Sequence, residues 1–516
     1  MFSKTHLEKA IMIMAFASFV FLGCFRLTYS PLWFDETIEY WHSKIMIGPL
    51  PYEQSNNMYE RILNTYQPPL YNFIMFFWLK ISSTEWWFRF FGVVMGFAAN
   101  AGIYKTVNKF SHSYLASASV FLSSCIYQLA YYWQECAEYC LLLCLICWTI
   151  YYFVCLIETQ NTKNIIVFTV FSVLSLYSQY GAVFPVGVMT IIAYFVVLKR
   201  KVKKQIITIT ITYMVTLITG IIPLLSLFMI KQINNQHNGI TTLTGLTIKE
   251  NIFTDFIFSL KETVSWGLFP YENGFEPYIC IFLFFSVAVL IILLSKETYA
   301  KLLAITNVLT FVLYYITVKL GLYSYGIFGL RYSLFFIPLW IISSFSFGYE
   351  IYKDLKMKLS RKLYFLRYMY IGLTITLIVY FIITGLVLRV IKPYDKENMR
   401  DAITTWLTIN GYESQTLVYY GGSSGFAYYL RQQSNDLSVY EKNVSYMPWM
   451  DNVPDSVIAD YVYSIYGEKW PDEVYIIASH EEEDINDLFK VFIDRGYTME
   501  TLFSSGATLV KLSANL

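Results

Sequence analysis

Residues 31–41 read PLWFDETIEYW and directly follow the first long apolar run of the chain. The stretch places two adjacent carboxylates, Asp35 and Glu36, between Trp33 and Trp41. Tryptophan is enriched where a membrane meets water, so the two indoles predict that the acidic pair lies at headgroup depth. A partly desolvated carboxylate there can accept a proton from a hydroxyl group or bind a divalent cation. The alternative is a solvated loop with no chemical role.

The composition is that of a polytopic α-helical membrane protein. Of the 516 residues, 56% are hydrophobic and only 15% are charged, and the mean hydropathy is +0.46. These values exclude a disordered chain. The net charge of +1 neither favours nor excludes acidic partners. We expect the lipid bilayer as a partner, and no nucleic acid.

Apolar segments that approach the roughly 20 residues of a bilayer-spanning helix recur along the chain. The candidates are residues 10–29, 87–104, 114–132, 137–157, 164–179, 182–198, 206–230, 276–294, 300–319, 330–350 and 368–390. The segment 69–83 is apolar but short, so its crossing is left open and the total is put at about 11–13 transmembrane helices. Lys and Arg clusters between the spans are assigned to the cytoplasm. If 69–83 does not cross, the C-terminal region then lies outside.

The composition changes near residue 395, where charges become dense and apolar runs shorten. TLVYY, EVYIIAS and ATLVKLS in this region are typical of strands, with helical stretches between them. We therefore predict a transmembrane domain over 1–392 and a soluble extracytoplasmic α/β domain over 393–516, about 120 residues and large enough to fold alone. The transmembrane domain has a first outer loop at 30–68 and a long outer loop at 231–275, predicted to hold an amphipathic helix on the membrane.

A glycine-rich turn in the predicted α/β domain offers two interpretations. YYGGSSGFAYYL, residues 419–430, is typical of a strand, a turn and a helix. A phosphate cradle is one interpretation, but the pattern lacks the lysine of a P-loop and the spacing of a dinucleotide fingerprint. A plain turn between a strand and a helix is favoured.

Two motifs on the predicted outer face carry further candidate side chains. YQPPLYN at 66–72 contains a proline pair that suits the first turn of a helix, so it predicts a rigid elbow with Tyr66, Gln67 and Tyr71 at its mouth. YYWQECAEY places three polar residues at the outer entrance of a membrane helix, where ionisable groups are costly and therefore suggest function. These residues are Gln134, Glu135 and Glu138.

An arginine near the outer end of another helix is a candidate anion site. GLRYS contains Arg331, followed by Tyr332. A guanidinium can hold a phosphate through two parallel hydrogen bonds. The alternative is that the side chain extends along the helix to reach the lipid headgroups.

In order and approximate spacing, the motifs resemble those of the integral-membrane glycosyltransferases that use polyprenyl-phosphate sugars. This class has the GT-C fold and includes protein O-mannosyltransferases and the aminoarabinose transferases acting on lipid A. The resemblance covers about residues 10–350. It rests on FDE at 34–36, QPPLY at 67–71, WWFRFFG at 86–92, YWQECAEY at 132–139, YSQYG at 177–181 and LRYSLFFIP at 330–338.

The resemblance implies an inverting transfer to a cell-envelope acceptor on the outer face of a bacterial plasma membrane. Asp35 would be the general base on the acceptor hydroxyl, and Glu36 would assist it or hold a cation such as Mg²⁺ or Mn²⁺. The departing polyprenyl phosphate would be bound by Arg331 together with Tyr332, and by Arg89. The other motif residues would contact substrate, namely Tyr66, Gln67, Tyr71, Gln134, Glu135, Glu138 and Gln179.

Three positions depart from the pattern of the family. Gln67 and Gln179 stand where histidines are usual, and Glu138 stands where an arginine is expected. Glutamine is a poor zinc ligand, so the first two weaken a transition-metal site. Two further hypotheses therefore stay open, a transporter of lipid-linked sugars and a non-catalytic scaffold of the same fold.

Overall fold

A computed structural model describes residues 4–44, 55, 57–65, 67–159, 161–235, 276–320, 331, 334–356, 364–387, 390, 396–433, 438–448, 455–479 and 485–514. The chain divides into two compact units. The membrane unit contains Met1–Phe25, Ile62–Tyr71 and Arg89–Pro393. The sheet unit contains Arg26–Arg61, Asn72–Phe88 and Tyr394–Leu516.

Helices account for most of the described chain. In order they are α1 (Lys4–Cys24), α2 (Phe34–Lys44), α3 (Met58–Leu63), α4 (Leu70–Trp78), α5 (Glu85–Phe110), α6 (Ser113–Cys125), α7 (Tyr127–Tyr132), α8 (Tyr139–Thr159), α9 (Thr162–Ser178), α10 (Val183–Arg200), α11 (Lys203–Thr216), α12 (Ile230–Asn235), α13 (Glu276–Leu294), α14 (Thr298–Lys319), α15 (Phe336–Lys356), α16 (Tyr364–Leu386), α17 (Met399–Thr408), α18 (Tyr420–Gln433), α19 (Asp455–Tyr466) and α20 (Ile485–Ile493). Short 3₁₀ turns occupy Tyr180–Ala182 and Gly411–Glu413, and π-helical segments occupy Leu217–Ile221 and Leu224–Met229.

The predicted membrane segments coincide with these helices. Every candidate span contains helix in the structure, with 114–132 divided between α6 and α7. By length and composition, the described residues contain seven helices able to cross a membrane: His6–Cys24, Glu85–Phe110, Tyr139–Thr159, Tyr180–Arg200, Lys203–Asn235, Thr298–Thr317 and Phe365–Leu386. The prediction of many spanning helices is confirmed.

The segment 69–83 forms only the nine-residue helix α4. Such a helix is about 13 Å long, much less than a hydrocarbon core of about 30 Å. The chain then turns, because the indoles of Trp78 and Trp87 stack with ring centroids 4.3 Å apart. Each indole N–H donates to the backbone carbonyl of the other residue, at 2.9 and 3.0 Å. This geometry favours the alternative in which the segment does not cross.

An ionic cluster around the buried pair of Asp354 and Arg367 joins three helices of the membrane unit at their predicted cytoplasmic ends. The Asp354 carboxylate of α15 accepts from Arg367 of α16 at 2.7 Å and from Lys296, just before α14, at 3.1 Å. One turn earlier on α15, Glu350 accepts from the backbone N–H of Lys296 and from the Ser295 hydroxyl, the latter at 2.7 Å. The two carboxylates therefore fix where α14 begins.

The sheet unit contains five strands. They are β1 (Gln415–Val418), β2 (Val444–Tyr446), β3 (Glu473–Ser479), β4 (Tyr497–Ser504) and β5 (Ala507–Ala514). The order is β2-β1-β3-β5-β4, with β1 parallel to β2 and β3, and with β5 antiparallel to β3 and β4. The three predicted strands are β1, β3 and β5, so the predicted α/β domain is confirmed.

The glycines of the predicted turn lie within α18 and allow close packing between elements of the sheet unit. A Cβ added at Gly422 would lie 2.7 Å from Met399 Cε of α17 and 3.3 Å from the backbone nitrogen of Ser479 at the end of β3. The Ser479 hydroxyl donates to the Gly421 carbonyl at 3.2 Å. Glycine suits this position because a Cβ would displace the end of the Met399 side chain and press on the Ser479 backbone. The predicted glycine-rich turn is therefore wrong in its extent, because α18 begins at Tyr420 and contains these glycines.

Helix α2, which carries the acidic pair, belongs to the sheet unit, although the sequence prediction placed it within 1–392. It packs on α18. The rings of Phe34 and Tyr420 lie 5.8 Å apart and those of Tyr40 and Tyr428 lie 4.8 Å apart. The Trp41 indole donates to the Ser424 carbonyl at 3.0 Å. Tertiary contacts therefore attach this outer loop to the C-terminal fold.

Replacing Asp354 by alanine should lower the free energy of unfolding by about 3–5 kcal/mol, because Arg367 would keep a buried charge without its carboxylate. The midpoint of thermal unfolding in detergent measures the loss. The double variant Asp354→Leu with Arg367→Met should recover most of the stability, since both charges are then removed. Equal stability of the single variant and the wild type would contradict the assigned ion pair.

Stability should also fall in mild acid because of His42 on α2. Burial, and then the Arg61 guanidinium, lowers the pKa of its imidazole to about 3. The unfolded state binds the proton near pH 6.5, so His42 contributes stability above that pH and loses it as pH falls towards 3, by at most about 1.4 kcal/mol per unit. Unfolding midpoints between pH 7.5 and 5 should show this slope, and His42→Gln should reduce it.

Candidate functional site

The two carboxylates of the acidic pair have different environments at the start of α2. Glu36 is only 1% exposed, and its carboxylate accepts the backbone N–H of Trp33 at 3.3 Å. This is the return bond of a capping box, which satisfies a backbone donor at a helix N-terminus. Asp35 is half-buried. The structure thus engages Glu36 in helix capping and leaves Asp35 the more accessible of the two.

A segment from the C-terminal part of the sheet unit completes this helix start. Glu397 accepts the backbone N–H of Phe34 at 2.9 Å. The Lys396 ammonium lies 3.2 Å from the centroid of the Trp33 ring, which is within cation–π range. The backbone of Asn398 donates to the Ser505 carbonyl at 3.1 Å, which ties this segment to the turn between β4 and β5. Asp35 is therefore carried on a helix turn that the sheet unit holds in place.

The YWQECAEY segment runs between α7 and α8 and is fixed by its backbone. A Cβ added at Gly92 of α5 would lie 2.5 Å from the Trp133 carbonyl oxygen, so only glycine allows this approach. The Gln134 amide donates to the carbonyls of Gly23 and Phe25 at 2.7 and 3.0 Å. Gly23 is in the last turn of α1 and Phe25 follows it, where the carbonyls at a helix end accept hydrogen bonds from outside the helix. Gln134 therefore anchors the segment to α1.

The charges of Glu135 and Arg331 both act on the Glu138 carboxyl in the membrane unit. Burial raises the pKa of the Glu138 carboxyl, directly before α8, to about 7; the charge of Arg331 lowers it and that of Glu135 raises it. Arg89 lies one turn before Gly92 on α5, hence on the face that meets the Trp133 segment, and it is buried. Glu138 is therefore a carboxyl that can be neutral near physiological pH beside a guanidinium.

The elbow and the YSQYG segment are joined by Gln232, which the sequence analysis missed. Its amide donates to the carbonyls of Ile62 and Gln67 at 2.7 and 2.8 Å, and its oxygen accepts from the Tyr180 hydroxyl at 2.8 Å. Gln232 lies on α12, so the predicted outer loop at 231–275 begins with helix as far as Asn235. A buried glutamine in a predicted loop gives no sequence signal of these contacts.

The remaining candidates are distributed as follows. Gln67 and Tyr71 are buried in the membrane unit, and the Tyr71 ring lies 6.0 Å from that of Phe91. Gln179 is buried between α9 and the 3₁₀ turn. Tyr66 and Tyr332 lie outside the described residues, as does the amphipathic helix predicted within 231–275.

A metal centre of protein side chains is not seen in the part of the chain that the structure describes. There, no group of three or more His, Cys, Asp or Glu side chains could hold an ion. Glu36, a predicted cation ligand, directs an oxygen to its own helix. The Mg²⁺ or Mn²⁺ cofactor therefore stays a prediction.

Comparison with known proteins bears on this arrangement. Residues 66–226 match the family described as dolichyl-phosphate-mannose-protein mannosyltransferase. None of the curated proteins matches the sequence significantly. The apo structure of ArnT from Cupriavidus metallidurans is similar with a TM-score of 0.52 and 10% identity, covering 98% of this chain and 97% of that one. The fold is that of the GT-C glycosyltransferases.

Two structures of a second enzyme share the GT-C fold. The oligosaccharyltransferase AglB from Archaeoglobus fulgidus, in complex with an inhibitory peptide and a dolichol-phosphate, has a TM-score of 0.50 and 11% identity over 98% of this chain and 74% of that one. The same enzyme in complex with zinc and sulfate has a TM-score of 0.50 and 11% identity over 98% of this chain and 73% of that one. The GT-C fold class and the family resemblance predicted from the sequence are confirmed.

Glu36→Leu should lower the free energy of unfolding by about 0.5–2 kcal/mol, because the Trp33 N–H loses its acceptor. Glu36→Gln keeps an acceptor oxygen at the same helix position, so its stability should stay near that of the wild type. Thermal unfolding midpoints of the two variants test the difference. A capping role would be contradicted if both variants were equally destabilised, or if neither were.

Proposed function

We propose that this protein is a membrane glycosyltransferase that moves a sugar from a polyprenyl-phosphate donor to a hydroxyl group of a cell-envelope acceptor. The observation that carries the proposal is the acidic pair on α2, in which one carboxylate caps the helix and the other, Asp35, is held half-buried beside it. The matched family description names a dolichyl-phosphate-mannose donor, and one AglB structure of the same fold holds a dolichol-phosphate. Both support a lipid-phosphate donor.

Asp35 is the general base in this mechanism. Its carboxylate takes the proton of the acceptor hydroxyl as the oxygen attacks the anomeric carbon. The bond between that carbon and the phosphate oxygen breaks, and polyprenyl phosphate leaves with the bonding electrons. Attack and departure on opposite sides of the sugar invert the configuration at the anomeric carbon. A base on a fixed helix turn suits this task because its orientation is set before substrate binds.

Arg331 and Arg89 stabilise the leaving phosphate, where negative charge grows in the transition state. Glu138 at first opposes this role, since the family pattern has an arginine there. Its carboxyl has a pKa near 7, so protonation removes its negative charge and leaves the charge of Arg331 for the phosphate. Protonated Glu138 also becomes a hydrogen-bond donor.

The proposed setting is a bacterial plasma membrane, with the sheet unit outside the cytoplasm, where a cell-envelope acceptor is available. The short helix α4 favours an odd number of crossings, as does the assignment of the Lys and Arg clusters to the cytoplasm. Mg²⁺ or Mn²⁺ would act in this proposal as an aid to phosphate departure.

Asp35→Asn should reduce release of polyprenyl phosphate from radiolabelled polyprenyl-phosphate sugars by roughly 10²–10⁴-fold, because the variant cannot accept the acceptor proton. Donor binding should stay near that of the wild type. The assay is run on purified protein with chelator and with added Mg²⁺ or Mn²⁺. Glu36→Gln is the matched control and should retain turnover within a few-fold.

Three outcomes would point elsewhere. Unchanged turnover in Asp35→Asn would assign the base to another residue. Donor binding without turnover in the wild type, across donors and acceptors, would favour the non-catalytic scaffold. Movement of the lipid-linked sugar across vesicle membranes that survives Asp35→Asn would favour the transporter.

A further inference from the structure

The carboxamide of Gln179 is buried but makes no hydrogen bond within the part of the chain that the structure describes. The residue is 3% exposed, and neither its oxygen nor its nitrogen has a hydrogen-bond partner among the described residues. A primary amide offers two N–H donors and a carbonyl acceptor. A buried polar group left in this way is unfavourable, and each case calls for a physical reason.

Three other amides in the membrane unit are used by the fold itself, although the buried Asn307 carboxamide of α14, like that of Gln179, has no hydrogen-bond partner among the described residues. Gln232 uses both ends of its carboxamide to join three segments. Gln134 closes the end of α1, and Asn100 donates to the Gly96 carbonyl at 2.9 Å. Against these examples, Gln179 has an amide that the fold does not require for its own hydrogen bonds.

The backbone at Gln179 is nevertheless firmly placed. Its N–H donates to the Ser175 carbonyl at 3.1 Å and ends α9, and its own conformation is extended, with φ −158° and ψ 136°. The next residue, Tyr180, donates its hydroxyl to Gln232, which also holds the Gln67 carbonyl of the elbow. The unused amide thus starts from a rigid backbone next to the elbow contacts.

We propose that the Gln179 carboxamide binds the sugar of the donor and selects an uncharged sugar that bears hydroxyl or acetamido groups. This inference rests on the proposed function and names its substrate class. An amide can donate to one oxygen and accept from a neighbouring hydroxyl at the same time, which matches adjacent groups on a pyranose ring. Glutamine is a poor metal ligand, so a bridging metal is the weaker reason for such an amide.

The polar contacts of the next residue, Tyr180, favour a neutral sugar. The groups joined to the Tyr180 contact are uncharged at neutral pH, namely the Gln232 carboxamide, the Thr65 hydroxyl and the Gln67 backbone carbonyl. A uronic acid or an amino sugar would bring a charge into this group without a countercharge from these residues, which is costly when the site is desolvated. A hexose or an N-acetylhexosamine carries no such cost.

Gln179→Leu separates a ligand contact from a structural one. Its thermal unfolding midpoint in detergent should equal or exceed that of the wild type, since no hydrogen bond of the fold is lost. Gln232→Leu is the matched control and should lower the midpoint.

Affinity of Gln179→Leu for radiolabelled polyprenyl-phosphate mannose or glucose should fall roughly tenfold. Affinity for polyprenyl phosphate without a sugar should not change, and the wild type should bind a polyprenyl-phosphate uronic acid more weakly than either hexose lipid.

Each contrary result has a distinct meaning. A midpoint that falls as in Gln232→Leu would make the amide structural and overturn the inference. Equal loss of affinity for polyprenyl phosphate with and without sugar would remove the sugar contact. Asp35-dependent turnover with unchanged sugar affinity in Gln179→Leu would overturn this inference and leave the proposed function intact. If Gln179→Leu lost affinity for the hexose lipids but the wild type showed no turnover, the sugar contact would be supported. The same result would count against the proposed enzyme activity. No binding of any sugar lipid would overturn both.

Discussion

The hydrogen bond from the Phe34 N–H to the Glu397 carboxylate is the constraint on which the candidate base depends. It joins two residues 363 positions apart in the chain. The first backbone N–H groups of a helix have no partner within the helix and need acceptors from elsewhere. At α2 one acceptor comes from Glu36 within the helix and another from Glu397, just before α17. The start of α2 therefore has a defined position only when the sheet unit is folded.

This attachment also explains why three carboxylates can gather at one helix start. Asp35, Glu36 and Glu397 would repel one another in isolation. Positive partial charge at a helix N-terminus offsets part of that repulsion, and two of the three accept backbone N–H groups directly. Lys396 adds a full positive charge over the Trp33 ring. Asp35 can thus remain next to two other acids without either of them taking its place as base.

The fold was largely predictable, because its signals are local. A run of apolar residues is enough to specify a spanning helix when every backbone group must be satisfied within the segment. For the same reason the positions of α5, α8 and α10 followed from hydropathy, and β3 followed from EVYIIAS. Whether residues 69–83 cross the membrane was left open. The stack of Trp78 on Trp87 ends α4, and a hydropathy profile does not show which residues pair in this way. The attachment of α2 to the sheet unit was missed for the same reason.

The candidate site was less predictable, because its details arise from distant contacts. Motif spacing identified Asp35, Glu138 and Arg331, but it could not show that Glu36 caps its helix or that Gln134 anchors α1. Gln232 and Glu397 belong to no motif, and only the folded chain shows that they position others. The three departures from the family pattern also gain meaning from the structure. Gln67 is held through its carbonyl and Gln179 keeps an unused carboxamide, so the two positions are not equivalent replacements for histidine.

A single electrostatic principle links these departures. Replacing two imidazoles by amides removes groups that titrate near neutral pH, and placing a buried carboxyl at Glu138 introduces one. The pH-sensitive group therefore stands beside Arg331, where a phosphate is proposed to bind, and the proposed sugar contact does not titrate. In the proposed mechanism, a dianionic leaving group would favour protonation of Glu138, and this would strengthen the hold of Arg331 on that group. A proton would then keep the charge balance at the lipid phosphate, in place of the arginine that the family pattern has at this position.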